Sequence, residues 1–181
     1  MNTPIERTGV TAFRGRPVTL LGPQLRPGDP APDFTVVGPD MAPATLGSSA
    51  GRVRLIASVP SLDTEVCDLE ARRFNEEAAR LDGVSVLTVS ADLPFAQQRW
   101  CAASGATAIQ VGSDHRDLSF GLAYGVAVKE LRLLARAVFV VDAADTVVYV
   151  EYVPESGQHP NYTEALRAVR AAVPAPDSRG R

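Results

Sequence analysis

Apolar and polar positions alternate along the chain with two different periods, and the switches between them mark its elements. Residues 53–59 and 84–91 are short apolar runs rich in β-branched side chains, the pattern of buried strands. Between them, residues 64–81 place Val66, Leu69, Phe74, Ala78 and Leu81 at helical spacing, and Gly83 closes the segment. A second helix is predicted over 94–104, with Pro94 in its first turn and Gly105 as its stop. A short strand over 108–111 and a short helix over 118–124 follow. Residues 137–141 and 146–153 then read as a β-hairpin around 142–145. The last helix is predicted over 161–173, with Tyr162, Leu166, Val169 and Val173 on one face.

Upstream, residues 10–13 and 17–21 flank Gly15-Arg16 as a further hairpin. Residues 23–32 hold four prolines and form an extended connector. A short strand is predicted over 34–37, and a turn-rich loop over 38–51. Residues 1–9 and 174–181 are expected to be flexible ends of a single domain spanning 10–173. Strands alternating with helices, then a hairpin and a closing helix, make an α/β fold with a mixed sheet.

Composition adds bounds. A chain of 181 residues with 45 % apolar and 22 % charged side chains buries a sizeable core and is not a disordered segment. Its formal charge of −3 gives no electrostatic case for nucleic acid. No run approaches the apolar length of a membrane helix. The first residues lack the apolar stretch of a secretory signal, so a reducing cytoplasm is the expected compartment. The triplet Asn161-Tyr162-Thr163 therefore reads as a helix start rather than a glycosylation acceptor. Two cysteines do not make a disulfide framework. His115 and His159 lie near neither cysteine in sequence, and paired zinc-ligand spacing is absent.

Chemistry concentrates at Pro60-Ser61-Leu62-Asp63-Thr64-Glu65-Val66-Cys67. A strand ends there, a proline turn follows, and a helix begins. Cys67 falls in the first helical turn or just beyond it, where unpaired N–H groups and the helix dipole favour negative charge. A cysteine so placed is a candidate nucleophile, because the thiolate is the reactive form. Thr64, three residues earlier, is placed for its hydroxyl to reach the sulfur, and Pro60 to shield the site. An isolated free cysteine is more often a buried, inert hydrophobe, and Thr64 or Asp63 can serve simply as an N-cap. Glu65 would oppose a thiolate if its carboxylate pointed inward.

The segment P-x-x-x-T-x-x-C resembles the active site of peroxiredoxins. The block Ser90-Ala91-Asp92-Leu93-Pro94-Phe95-Ala96-Gln97, together with Arg99-Trp100-Cys101, Ala123-Tyr124-Gly125-Val126 and Leu134-Ala135-Arg136-Ala137-Val138, looks like the thiol peroxidase subfamily, the atypical two-cysteine type. The resemblance runs from about residue 13 to 172. It implies a thioredoxin-like fold with an N-terminal β-hairpin. It also implies a peroxidase that reduces hydrogen peroxide and alkyl hydroperoxides without metal, haem or flavin, is recycled by thioredoxin, and forms a homodimer. By the same resemblance Cys67 is the peroxidatic cysteine and Cys101 the resolving one, joined in an intramolecular disulfide during turnover. Thr64 bonds sulfur and peroxide, Pro60 shields them, and Arg136 stabilises the thiolate. Leu62, Phe95 and Tyr124 are candidates for contact with a partner subunit or an alkyl chain.

Both cysteines fall on predicted helices, whereas a disulfide requires Cα atoms within about 7 Å. Local unwinding is therefore expected before closure. Two other functions use the same cysteine pair. One is a protein thiol–disulfide oxidoreductase, which the absence of a C-x-x-C pair disfavours. The other is a non-enzymatic redox sensor.

Overall fold

The computed structural model describes residues 4–174. Two strands, β1 (Glu6–Phe13) and β2 (Arg16–Leu21), form the N-terminal hairpin. The chain continues through β3 (Thr35–Val37), β4 (Pro43–Thr45), a 3-10 turn at Leu46–Ser49 and β5 (Val53–Ser58). Helix α1 (Glu65–Ala78), β6 (Val84–Ser90), α2 (Pro94–Ser104) and β7 (Gln110–Ser113) come next. Last are α3 (Ser119–Ala123), β8 (Ala127–Val128), β9 (Ala137–Val141), β10 (Val147–Tyr152) and α4 (Tyr162–Ala172).

Seven strands form the central sheet in the order β10-β9-β5-β6-β7-β3-β4. The pairs β5–β6 and β6–β7 are parallel, as helical crossovers require, and the remaining pairs are antiparallel. A smaller sheet, β1-β2-β8, extends the N-terminal hairpin. The mixed sheet predicted from the pattern is thus present.

Period-two alternation divides the core into two layers. Leu55, Ala57, Val138 and Val140 face one side, where Cys67 and Phe74 of α1, Trp100 of α2, and Leu166 and Val169 of α4 cover them. Ile56, Phe139 and Val141 face the other, against Phe120, Tyr124 and the hairpin residues Val18 and Leu20. Helices α1, α2 and α4 therefore cover one face of the sheet, and that face holds the first cysteine.

Several boundaries differ from the sequence expectation. Strand β1 begins at Glu6, so residues 6–9 belong to the hairpin rather than to a loose end. Residues 1–3 and 175–181 lie outside the described residues. The expected loop over 38–51 contains β4 and the 3-10 turn, and β8 was not expected at all. Helix α2 has the predicted ends: Pro94 opens it, and Gly105 adopts the left-handed conformation at φ 67° that glycine accommodates without steric cost. Asn161 caps α4 by accepting the Glu164 N–H at 3.1 Å, which supports the helix-start reading of its triplet.

Candidate active site

Cys67 is the third residue of α1, within the turn whose backbone N–H groups lack helical partners. Its side chain is fully buried. Arg136 lies immediately before β9 and is 1 % exposed. Its Nη2 donates to Cys67 Sγ at 3.2 Å. The start of α1 and the guanidinium thus meet one sulfur from two directions.

The arginine is held by more than the sulfur. Nη1 donates to Glu70 Oε2 in a buried ion pair. Nε and Nη2 both donate to the Ser156 carbonyl, at 3.2 and 2.8 Å. The Ser156 loop is in turn clasped by the N-terminal hairpin. Ser156 N–H donates to the Ala12 carbonyl, Ala12 N–H to the Pro154 carbonyl, and the N–H groups of Arg14 and Gly15 to the Glu155 carboxylate. These contacts fix the guanidinium fork in one orientation, an arrangement a lysine ammonium cannot reproduce.

Glu70 escaped the sequence reading. Cys67, Glu70, Ala71 and Phe74 are the buried face of α1, whereas Leu69, assigned to the apolar face, is 49 % exposed. The i, i+3, i+4, i+7 spacing of these four was legible, and an acid on that stripe signals a buried cation opposite. Burial pushes the Glu70 carboxyl up to about 7, although Arg136 pulls it down. Burial opposes the Arg136 charge, but Glu70 and Cys67 hold its pKa above the ordinary arginine value.

The sign follows from proton binding. Between the ordinary value of 4.5 and about 7 the folded chain keeps a proton on Glu70 that the unfolded chain has released. Its stabilising contribution is full below that window and is lost as pH rises through it. Urea unfolding at pH 5 and pH 8 should therefore show the stability of the unaltered protein, relative to Glu70→Gln, falling as pH rises. A difference independent of pH would show that Glu70 does not titrate there.

Thr64 is the N-cap residue of α1 and is exposed. Its hydroxyl donates to the Ser61 carbonyl at 2.8 Å, not to the sulfur as anticipated. The tight turn 61–64 supplies that acceptor closer at hand. The oxygen retains acceptor capacity for an incoming O–H. Pro60 is buried at the end of β5, and Glu65 is exposed, so its carboxylate does not oppose the sulfur. Leu62 and Tyr124 are buried at 3 % and 0 % exposure, so neither is available to a partner, whereas Phe95 is.

Asp92 holds the loop ahead of α1. Its carboxylate accepts from Ser61 Oγ at 2.7 Å, the Leu62 N–H at 2.8 Å and Ser90 Oγ at 2.8 Å. The SADLPFAQ block therefore positions the cysteine turn through Asp92, a role the sequence reading did not assign. Cys101 is half-buried in α2, and both cysteines are free thiols. Burial pushes the Cys101 thiol up.

Comparison with known proteins decides the family. The redoxin family profile matches residues 26–166. A thiol peroxidase of Halalkalibacterium halodurans is 62 % identical over 161 residues, covering 89 % of this chain and 97 % of that one. The chain belongs to the thiol peroxidases of the redoxin family. A thiol peroxidase of Bacillus subtilis is 55 % identical over 161 residues, covering 89 % of this chain and 96 % of its own. The crystal structure of a peroxiredoxin-like protein from Aquifex aeolicus superposes with a TM-score of 0.86 at 40 % identity, covering 95 % of this chain and all of that one. The fold is accordingly the thioredoxin-like fold of peroxiredoxins, and the activity carried by the family is thiol-dependent peroxide reduction.

Proposed function

We propose that this protein reduces hydrogen peroxide and alkyl hydroperoxides through Cys67, with Cys101 as resolving partner and thioredoxin as reductant. The observation that carries the reading is the 3.2 Å donation from buried Arg136 to the Cys67 sulfur in the first turn of α1. The Cys67 thiolate attacks the terminal peroxide oxygen. An S–O bond forms, the O–O bond breaks, and the departing alkoxide or hydroxide takes up a proton. The sulfur, oxidised by two electrons, is now a sulfenic acid.

Ionisation alone is a small part of the acceleration. A thiol of ordinary pKa is a few per cent thiolate at neutral pH, so complete ionisation gains at most about 30-fold. Nucleophilicity also falls as thiol pKa falls. The larger effect comes from donors aimed at charge that grows on the separating oxygens. Arg136 supplies fixed N–H groups, and Thr64 Oγ1 accepts the peroxide O–H and orients it. Pro60 keeps bulk water from the sulfur.

Cys101 then attacks the sulfenic sulfur, an S–S bond forms, and water leaves. A dithiol such as thioredoxin returns the pair to thiols. The reading includes a reducing cytoplasm, where such dithiols are maintained; among the described residues no helix is long and apolar enough to cross a membrane. A homodimer is part of the reading. Leu93 and Phe95, 54 % and 65 % exposed at the start of α2, support it as apolar groups available to a second copy.

The test is mass mapping of reduced protein after one equivalent of peroxide, with a Cys67–Cys101 linked peptide pair as the expected product. Cys101→Ser should still consume about one equivalent of peroxide per chain and then stop in the presence of thioredoxin. Repeated turnover at the normal rate would remove Cys101 from the cycle.

A further inference from the structure

The two cysteine helices are tied to one another by residues adjacent to the cysteines. Trp100, the residue before Cys101, donates its indole N–H to Asp68 Oδ1 at 2.8 Å, and Asp68 is the residue after Cys67. Arg72, one turn along α1, donates to both Asp68 oxygens at 2.9 Å and to the Ser104 carbonyl at 3.2 Å. Arg99 meets Asp63 at 3.2 Å across the same seam. Trp100 is 7 % exposed and belongs to the core layer that contains Cys67. Cys101, about 100° further around α2, packs at the edge of that layer and lines a cleft of about 420 Å³ with Pro39, Ala44, Ile109 and Val111. The indole thus stands on the α1 side of its helix, and the Cys101 thiol, at the edge of the same layer, opens toward a cleft that no α1 residue lines.

We infer that the Trp100–Asp68 hydrogen bond is a latch that must open before Cys101 reaches Cys67, and that Asp68 and Trp100 are positioning residues which set the fate of the oxidised sulfur. The inference rests on the proposed pairing of Cys67 with Cys101. While the latch is shut, Cys67 sulfenate is held beside Arg136 and away from the second thiol. Two reactions compete for it. In one, Cys101 displaces the sulfenic oxygen, forming the S–S bond and releasing water. In the other, a second hydroperoxide transfers oxygen to sulfur, its O–O bond breaks, and sulfinate and alcohol result. A firmer latch slows the first without touching the second. Burial of the Cys101 thiol in the closed form acts in the same direction, because its thiolate is disfavoured until the helix opens.

The experiment uses full-length protein, rapid mixing with hydrogen peroxide, acid quench and peptide mass analysis, which needs no tryptophan signal. Trp100→Phe keeps the ring and removes the donor, and Asp68→Ala removes the acceptor. Each should speed disulfide formation about tenfold, the effect of one hydrogen bond to a charged acceptor. Each should also lower the sulfinate fraction at millimolar peroxide by a similar factor. The rate of the first oxidation should stay within about twofold, since neither side chain touches the reacting atoms. The double variant should be no faster than Asp68→Ala, which already removes that bond together with the Arg72 pair. Asp68→Asn, which keeps an acceptor oxygen for the indole, should close more slowly than Asp68→Ala. Unchanged closure rates, or additive effects in the double variant, would overturn the latch while leaving the cysteine pairing intact. Absence of the linked pair in the unaltered protein would sink that pairing and the latch with it.

Discussion

Cys67→Ser protein is expected to consume peroxide no faster than buffer, whatever reductant is supplied. Serine has nearly the same shape, and its hydroxyl still meets the Arg136 donor, so the fold is retained. The chemistry is not. A serine hydroxyl stays protonated near neutrality, its oxygen is far less polarisable than sulfur, and it has no lower-energy oxidised state to reach. The electron pair that breaks the O–O bond has no other source at the site. The measurement is steady-state peroxide loss coupled to thioredoxin, thioredoxin reductase and NADPH, with urea unfolding as the control for folding. Consumption above a few per cent of the normal rate would mean that another group is the nucleophile.

The second large effect is expected at Arg136. Arg136→Ala removes the donor on the sulfur and also leaves Glu70 buried without its cation. The first loss should lower the second-order constant for peroxide by about 100- to 1000-fold, the usual result of deleting a donor that acts in the transition state. The second should cost about 3–5 kcal/mol of stability, the penalty of breaking one side of a buried ion pair. The two consequences separate in the double variant Arg136→Met with Glu70→Met. Removing both charges together should recover most of the stability and none of the activity. Recovery of peroxidase activity in that double variant would show that Arg136 acts only through folding. Arg136→Lys should keep the charge yet fall well short of normal activity, because one ammonium cannot serve sulfur, carboxylate and carbonyl in the geometry of the guanidinium fork.

How far the sequence carries depends on how local the cause is. The ends of α2 are correct because Pro94 and Gly105 act on their own backbone. The placement of Cys67 in the first turn of α1 is likewise local, set by the proline turn that precedes it. Arg136 was named from its position before a run of apolar strand residues and from resemblance, and the structure brings it to the sulfur across 69 residues. What was missed is non-local. Strand β8 is two residues long and exists because β2 pairs with it, so no periodicity announces it. The inward turn of Glu70 and the outward turn of Leu69 invert what side-chain polarity suggests. Apolar burial on that face yields to the need of Arg136 for a counter-charge. Thr64 shows the opposite error: the nearest acceptor, one turn of loop away, took the hydroxyl that spacing had assigned to the sulfur.

The clasp between the first hairpin and the Ser156 loop has a consequence for where damage is felt. Only one residue, Ser156, and one guanidinium separate the Ala12 backbone from the oxidisable atom, although the two are distant along the chain. An altered leader at that hairpin would register as a cation aimed off its target, a kinetic defect with no missing catalytic group to explain it.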